Sequence, residues 1–86
     1  MKTMKQVLAE FQQMQKQLMG EGIVEVYVYC DGEYWAIRVQ KLTFTDNHEV
    51  KTRDYVEWAH YSSQDEEQEQ KNEKLLAEFK AKFNLK

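Results

Sequence analysis

The chain of 86 residues contains no proline, three glycines and a single cysteine. One cysteine excludes an internal disulfide framework and a cysteine-rich zinc site. No apolar run is long enough to cross a membrane, and the first residues, MKTMKQ, lack the apolar core of a signal peptide. We therefore expect a cytoplasmic protein that holds no metal and no cofactor.

The chain also lacks an excess of positive charge. Twelve lysines and arginines stand against 15 aspartates and glutamates, which gives a net charge of −3 at pH 7 with neutral histidines. Binders of nucleic acid or of anionic membranes depend on clustered cations, so this balance argues against both as partners. Hydrophobic residues make up 42% of the chain and aromatic residues 13%, which is enough for one folded domain over residues 1–86.

Apolar spacing predicts a first helix over residues 3–19. Apolar side chains recur there at steps of three and four, at Met4, Val7, Phe11, Met14 and Leu18. This spacing places them on one stripe, with glutamine and lysine on the opposite side. Two glycines, Gly20 and Gly22, then end the pattern, as glycine often does just after a helix.

A second helix is predicted over residues 64–83, after a capping box formed by Ser63 and Glu66. Its apolar stripe occupies only the second half, at Leu75, Leu76, Phe79 and Phe83. Gln68 and Asn72 take the core-side positions of the first half, and both are polar. We therefore expect the first three turns of this helix to overhang the sheet or to stand in solvent.

Between the helices the hydrophobic period changes to two, which predicts strands over residues 23–30, 33–44 and 50–61. Short connections between them favour an antiparallel meander. The expected fold is therefore α+β, in the order helix, three-stranded antiparallel meander, helix (αβββα). Both helices should cover one face of the sheet, because two amphipathic helices need an apolar surface to share.

The dipeptide Asp31-Gly32 predicts a two-residue type I′ turn between the first two strands. In that register the numbers of opposite residues sum to 63, so that Val26 faces Ile37 on one side of the sheet. Glu25 faces Arg38 on the other side. The apolar pattern changes parity after the middle of the second strand, which predicts a bulge near residues 40–41.

This order of elements resembles the double-stranded RNA-binding domain family, over most of the chain and in topology alone. Members of that family carry a lysine-rich KKxAK motif at the start of the second helix, where it holds phosphates across a groove. The corresponding stretch here, residues 65–69, reads DEEQE and would repel a phosphate backbone. The resemblance therefore implies the order of elements, and we do not expect the family's activity.

The chain lacks the motifs that are typical of catalytic sites, and we expect no enzyme activity. GxSxG, HExxH, a glycine-rich phosphate loop and CxxC are all missing. Cys30 would need a nearby base such as His60 to become a nucleophile, so we interpret it as structural. Residues 49–51 (EVK) match the ExK part of metal-dependent nuclease sites, which would also require Asp31 or Asp46 nearby.

An acidic ridge is predicted along the second helix. Glu66, Glu69 and Glu73 recur at steps of three and four, directly after Asp65. Such spacing aligns side chains on one helix face. The ridge could dock on a basic protein surface, or it could be a solvated face that keeps the chain soluble.

The outer face of the predicted sheet combines Tyr27, Tyr29 and Tyr34 with Arg38. Tyrosine and arginine are enriched where protein partners bind. We therefore expect a small non-catalytic protein-interaction module, of the kind that phages and mobile elements encode as inhibitors. The acidic ridge and the tyrosines would contact a protein partner with a basic surface. Two alternatives are a nucleic-acid-binding domain that uses the tyrosines and Arg38, and a homodimer that hides them.

Overall fold

A computed structural model describes residues 2–20, 22–61 and 66–86. The elements are, in chain order, α1 (Met4–Leu18), β1 (Ile23–Asp31), β2 (Tyr34–Phe44), β3 (Val50–His60) and α2 (Glu66–Lys82). The strands form one antiparallel sheet in the order β1-β2-β3. This confirms the predicted α+β fold and its αβββα order. The predicted capping box at Ser63 lies outside the described residues.

One hydrophobic core joins both helices to the same face of the sheet. Trp58 and Phe11 are its largest fully buried side chains. The other buried members are Val7, Met14, Leu18, Ile37, Val39, Val56, Leu76 and Phe79. Each large apolar side chain contributes about 1.5–3 kcal/mol when it is fully buried. The architecture is therefore one-sided, with the helices on one face and the other face uncovered.

The first helix begins at a capping box. The backbone N–H of Gln6 donates to the Thr3 hydroxyl at 3.2 Å, and the backbone N–H of Thr3 donates to the Gln6 side chain at 2.9 Å. These bonds satisfy two backbone donors that a helix start leaves without partners. The start of α1 is thereby fixed where its apolar stripe meets the sheet.

The hairpin between β1 and β2 has a different turn from the one that the sequence predicted. Asp31 pairs with Tyr34, so the two-residue loop consists of Gly32 and Glu33. Gly32 has a φ of +62° at the first central position, where a type II′ turn requires glycine. The numbers of opposite residues sum to 65, as Asp31 and Tyr34 do, and the predicted register with a sum of 63 is wrong.

The shift of two residues changes the partners of each side chain but not the face on which it lies. Val26 faces Val39 instead of Ile37, and Arg38 faces Tyr27 instead of Glu25. Because side chains alternate with a period of two, an even shift keeps the apolar and tyrosine-bearing sides apart. The prediction was therefore right about the faces and wrong about the cross-strand pairs.

The predicted bulge near residues 40–41 is also wrong. Pairing continues without interruption to Thr43, and the irregularity between β2 and β3 lies between Thr43 and Phe44. Leu42 consequently stays on the outer face, where it lies opposite Ile23 and Arg53. The apolar pattern therefore changes because Ile23 and Leu42 form an apolar pair on the outer face, outside the core. It does not indicate an extra residue in the strand.

The first half of α2 is held against the sheet, contrary to the prediction that it would overhang. Asn72 is only 2% exposed. Its Nδ2 donates to the carbonyl oxygen of Ala59 at 2.8 Å, and its Oδ1 accepts from the backbone N–H of Ala59 at 3.4 Å. Gln68 donates to the same Oδ1 at 2.9 Å. An amide side chain offers the same donor and acceptor as a peptide group, so Asn72 satisfies the backbone at the free edge of β3.

A carboxylate on α1 connects three parts of the chain. Glu10 accepts from the Nζ of Lys80 at 2.6 Å and from the Nζ of Lys2 at 2.9 Å. Burial alone would raise the pKa of Glu10, but the hydrogen bonds from Lys80 and Lys2 outweigh it and hold this pKa below its ordinary value. The folded state therefore favours the charged form of Glu10.

Replacing Glu10 with glutamine should lower the stability by up to about 1 kcal/mol at neutral pH, since a partly exposed ion pair is screened by solvent. A depressed folded-state pKa stabilises the fold above the unfolded pKa, and this contribution disappears as the pH falls through the folded pKa. Thermal unfolding followed by circular dichroism should thus show a lower melting temperature for Glu10→Gln than for wild type at neutral pH. This difference should disappear in acid. Glu33→Gln, in the exposed hairpin loop, is the control. A gap that is independent of pH would contradict the assigned role.

Candidate protein-interaction face

All five tyrosines of the chain lie on the sheet face that the helices leave uncovered. Tyr27, Tyr29, Tyr55 and Tyr61 are between 45% and 55% exposed, and Tyr34 is half-buried among them. We call these five residues together with Arg38 the tyrosine face. The structure thus brings together the four residues predicted for this surface, namely Tyr27, Tyr29, Tyr34 and Arg38.

Three of the rings form a row across the hairpin end of the sheet. Tyr34 contacts Tyr29 edge-on, with ring centroids 5.7 Å apart, and contacts Tyr61 at 4.9 Å. Burial raises the pKa of the Tyr34 phenol, and the neighbouring Tyr61 and Glu57 add to the effect. Tyr34, at the centre of the row, therefore keeps its hydroxyl hydrogen into alkaline pH.

Tyr27 lies at the β1 side of the face and points its hydroxyl at a carboxylate. The hydroxyl donates to Glu25 at 2.6 Å. This hydrogen bond is the main cause that raises the pKa of Tyr27 above its ordinary value. The contact fixes the exposed ring in one orientation, so less side-chain freedom remains to be lost when a partner binds.

Arg38 occupies the middle of the face, on the central strand. Its Nη2 lies 2.9 Å from Oε2 of Glu57, and its guanidinium carbon lies 4.3 Å from the centre of the Tyr55 ring. The ion pair and the cation–π contact hold the guanidinium in place. A guanidinium has five N–H donors, and Glu57 is its one carboxylate partner in the described part of the chain. Donors remain for a partner molecule.

An open depression of about 530 Å³ lies beside Arg38. Ala36 forms part of its floor, where it faces Tyr29 on one neighbouring strand and Ala59 on the other. Small side chains at the centre and tyrosines at the margin explain why this part of the sheet is concave. The walls are supplied mainly by Tyr27, Tyr29, Arg38, Arg53 and Glu57.

Gln40 also lines the depression and was not predicted as a site residue. It is 7% exposed, and none of its side-chain atoms hydrogen-bonds to another described residue. A bound group with a donor and an acceptor would supply the hydrogen-bond partners that this amide lacks among the described residues. The sequence signal was available, because Gln40 has the same parity as Arg38, but the predicted bulge removed it from the face.

The predicted acidic ridge lies away from the tyrosine face. Glu66, Glu69 and Glu73 belong to α2, which packs on the opposite side of the sheet, and Asp65 lies outside the described residues. Glu73 is 3.5 Å from the Nζ of Lys2. The two predicted surfaces therefore belong to different layers of the fold.

The residues that were considered for catalysis do not form a site, although Asp46 lies in the turn that leads into residues 49–51. Trp35 lies between Cys30 and His60 in the sheet. Its ring stacks on the His60 ring, with the two ring centroids 5.1 Å apart. Asp31 lies at the β1–β2 turn, whereas residues 49–51 follow the turn at the other end of β2. Within the described ranges, no group of three histidine, cysteine or acidic residues is placed to hold a metal ion.

No helix among the described residues is long and apolar enough to span a bilayer. Comparison with protein-family models, with curated proteins and with solved structures finds no match.

Proposed function

We propose that this protein is a small interaction module that binds another protein through the tyrosine face. The observation that carries the proposal is the gathering of all five tyrosines around Arg38 on the uncovered side of the sheet. Tyrosine and arginine dominate the binding energy of protein interfaces, above all where they surround a pocket near the centre. In this proposal the module covers a surface that its partner needs, which is the action of an inhibitor.

The depression supports a specific kind of contact. Gln40 at its floor needs both a donor and an acceptor, and Arg38 retains N–H donors at its margin. A backbone peptide group or an amide side chain of the partner supplies such a pair, and a loop that inserts one would fill the space between the rings. The acidic ridge on α2 would form a second, separate contact with a basic surface.

Charge distinguishes a protein partner from a nucleic acid. The outer face carries Arg38 and Arg53, but also Glu25, Asp31 and Glu57. Single-stranded nucleic acids bind to aromatic platforms that lie in a positively charged groove. Because Arg38 is already paired with Glu57, this face offers stacking without the required excess of positive charge.

Truncating the tyrosine face should weaken partner binding strongly. We expect Tyr29→Ala and Arg38→Ala each to reduce affinity about 30-fold, equivalent to about 2 kcal/mol, as for residues at the centre of an interface. Partners would be isolated by affinity purification from the native host, and the purified complex would be titrated by calorimetry. Lys74→Ala, on the exposed side of α2, is the matched control and should bind like wild type.

The same titrations include two arms that would reject the proposal. Undiminished binding by the Arg38→Ala and Tyr29→Ala variants would show that the tyrosine face does not bind the partner. Tight binding of a single-stranded oligonucleotide that weakens steeply with salt would indicate a nucleic-acid binder instead. Combined charge reversal of Glu66, Glu69 and Glu73 tests the ridge and should reduce mainly the association rate.

A further inference from the structure

The two edges of the sheet are treated differently by the rest of the chain. On β3, Asn72 binds both backbone groups of Ala59, and α2 lies alongside the strand. The same strand carries several charged side chains, at Lys51, Arg53, Asp54 and Glu57. A covering helix and charged residues are the usual protections of an edge strand against pairing with another chain.

On β1 the positions of the free backbone groups follow from the hairpin. Asp31 and Tyr34 flank a two-residue loop and therefore form a hydrogen-bonded pair. Such pairs alternate along an antiparallel ladder, so the even-numbered residues of β1 direct their N–H and C=O groups away from β2. The side chain of Gln15 agrees with this, because it donates to the carbonyl oxygen of Val24 at 3.0 Å.

Beyond Val24 this edge is open. No described residue hydrogen-bonds to the outward backbone groups of Val26, Val28 or Cys30. Val28 is 51% exposed although it points to the helix side, and Cys30 is exposed as well. Residues 26–30 carry no charge. An exposed, uncharged edge of this kind is a template for pairing with a further strand.

We propose that the open edge pairs with the same edge of a second copy of this chain, antiparallel and with the two-fold axis at Tyr27. Tyr27 is the midpoint of Ile23–Asp31, so this register overlaps the whole strand. Residues whose backbone groups point outward then lie opposite each other and form hydrogen-bonded pairs, for example Val26 with Val28 of the second copy. The pairing goes beyond the proposed function and does not depend on it.

Charge supports this register against one of its two neighbours. With the axis at Tyr27, Glu25 lies opposite Tyr29 of the second copy, and no two carboxylates oppose each other. A shift of the axis by one residue to Val28 would place Glu25 opposite Asp31 of the second copy, and like charges in that position destabilise a sheet. The same shift would also shorten the overlap of the two strands.

The pairing covers the exposed valines and enlarges the tyrosine face. The axis is perpendicular to the sheet, so both helix layers lie on one side and both tyrosine faces on the other. Val28, which neither helix of its own chain covers, packs against Val26 of the second copy next to that copy's α1. The product is one six-stranded sheet made of two three-stranded sheets.

Cross-linking tests the register directly. Tyr27→Cys in a Cys30→Ser background places two thiols at the axis, in a non-hydrogen-bonded pair with Cα atoms about 4.5 Å apart. This separation is within the range of disulfides. Mild oxidation with copper–phenanthroline at low protein concentration should convert most of the chain to a covalent dimer. Tyr55→Cys in the same background, an equally exposed position on β3, should remain uncross-linked.

Sedimentation velocity over a wide concentration range tests the association itself. Wild type should be a dimer, and Val28→Lys should be a monomer, because its ammonium group would lie opposite Val26 of the second copy. Val50→Lys, also exposed but on β3, should remain dimeric. Circular dichroism establishes that each variant is folded. A monomeric wild type, a dimeric Val28→Lys, or equal cross-linking at positions 27 and 55 would overturn the proposal.

Discussion

Alanine at Gly22 should destabilise the fold by about 3 kcal/mol or more, a loss on the scale of strain at a special backbone conformation. A Cβ atom at this position would lie 2.0 Å from the carbonyl oxygen of Leu42 and 3.1 Å from its carbonyl carbon. Both atoms belong to the backbone of β2, so no side-chain rotation relieves the overlap. The φ of Gly22, +84°, adds a conformational cost for any residue with a Cβ.

Gly32→Ala is the matched control for this substitution. Gly32 also has a positive φ, +62°, but no atom lies within 4 Å of the place where its Cβ would be. Its replacement should cost about 1–2 kcal/mol, the conformational term alone. Urea denaturation of both variants separates the steric term from the conformational one. Equal losses at the two glycines would show that the chain leaving α1 does not pass close to β2.

Replacing Asn72 with alanine should cost about 2–4 kcal/mol, the second large effect. The change removes two hydrogen bonds to Ala59 and leaves the N–H and the C=O of that residue without partners beneath α2. An unsatisfied buried group costs about 1–3 kcal/mol, and the loss of buried side-chain volume adds to this. The first half of α2 should separate from the sheet, because its other core-side residue, Gln68, is bound to Asn72 itself.

Thermal unfolding measures the total loss, and hydrogen exchange locates it. We expect the backbone amide of Ala59 to exchange much faster in Asn72→Ala than in wild type. Amides in the middle of β2 should slow down or speed up only as much as the free energy of global unfolding changes. Gln70→Ala, an exposed substitution on the same helix, should change the stability by less than about 0.5 kcal/mol. Unchanged exchange at Ala59 would mean that water, and not Asn72, satisfies this edge.

The faces of the sheet could be predicted from the sequence, but its register could not. Alternation assigned Val26 to the core side and Tyr27 to the outer side, and any even shift keeps that assignment. The register depends on which two residues form the loop. Asp31-Gly32 suits a type I′ turn and Gly32-Glu33 suits a type II′ turn, and local chemistry alone does not separate them.

Two buried amides show what a hydropathy pattern cannot predict. Asn72 was interpreted as solvated because it is polar, yet its partner is the backbone of Ala59, which has no signature in the sequence. Gln40 was assigned to a bulge, although it lies in the floor of the depression. The tyrosines and Arg38 were predictable because alternation alone places them. The shape between them depends on cross-strand neighbours such as Ala36 and Ala59, and so on the register.

The amide of Asn72 has a consequence for how far assembly can proceed. A fibril of stacked sheets needs each molecule to offer two complementary borders, so that every added subunit exposes a new place for the next. Here α2 and the amide of Asn72 protect one border at Ala59, and the proposed pairing through the other border leaves no second open border on either molecule. Growth then terminates at a closed pair, so a concentrated solution of this protein should stay clear instead of forming filaments.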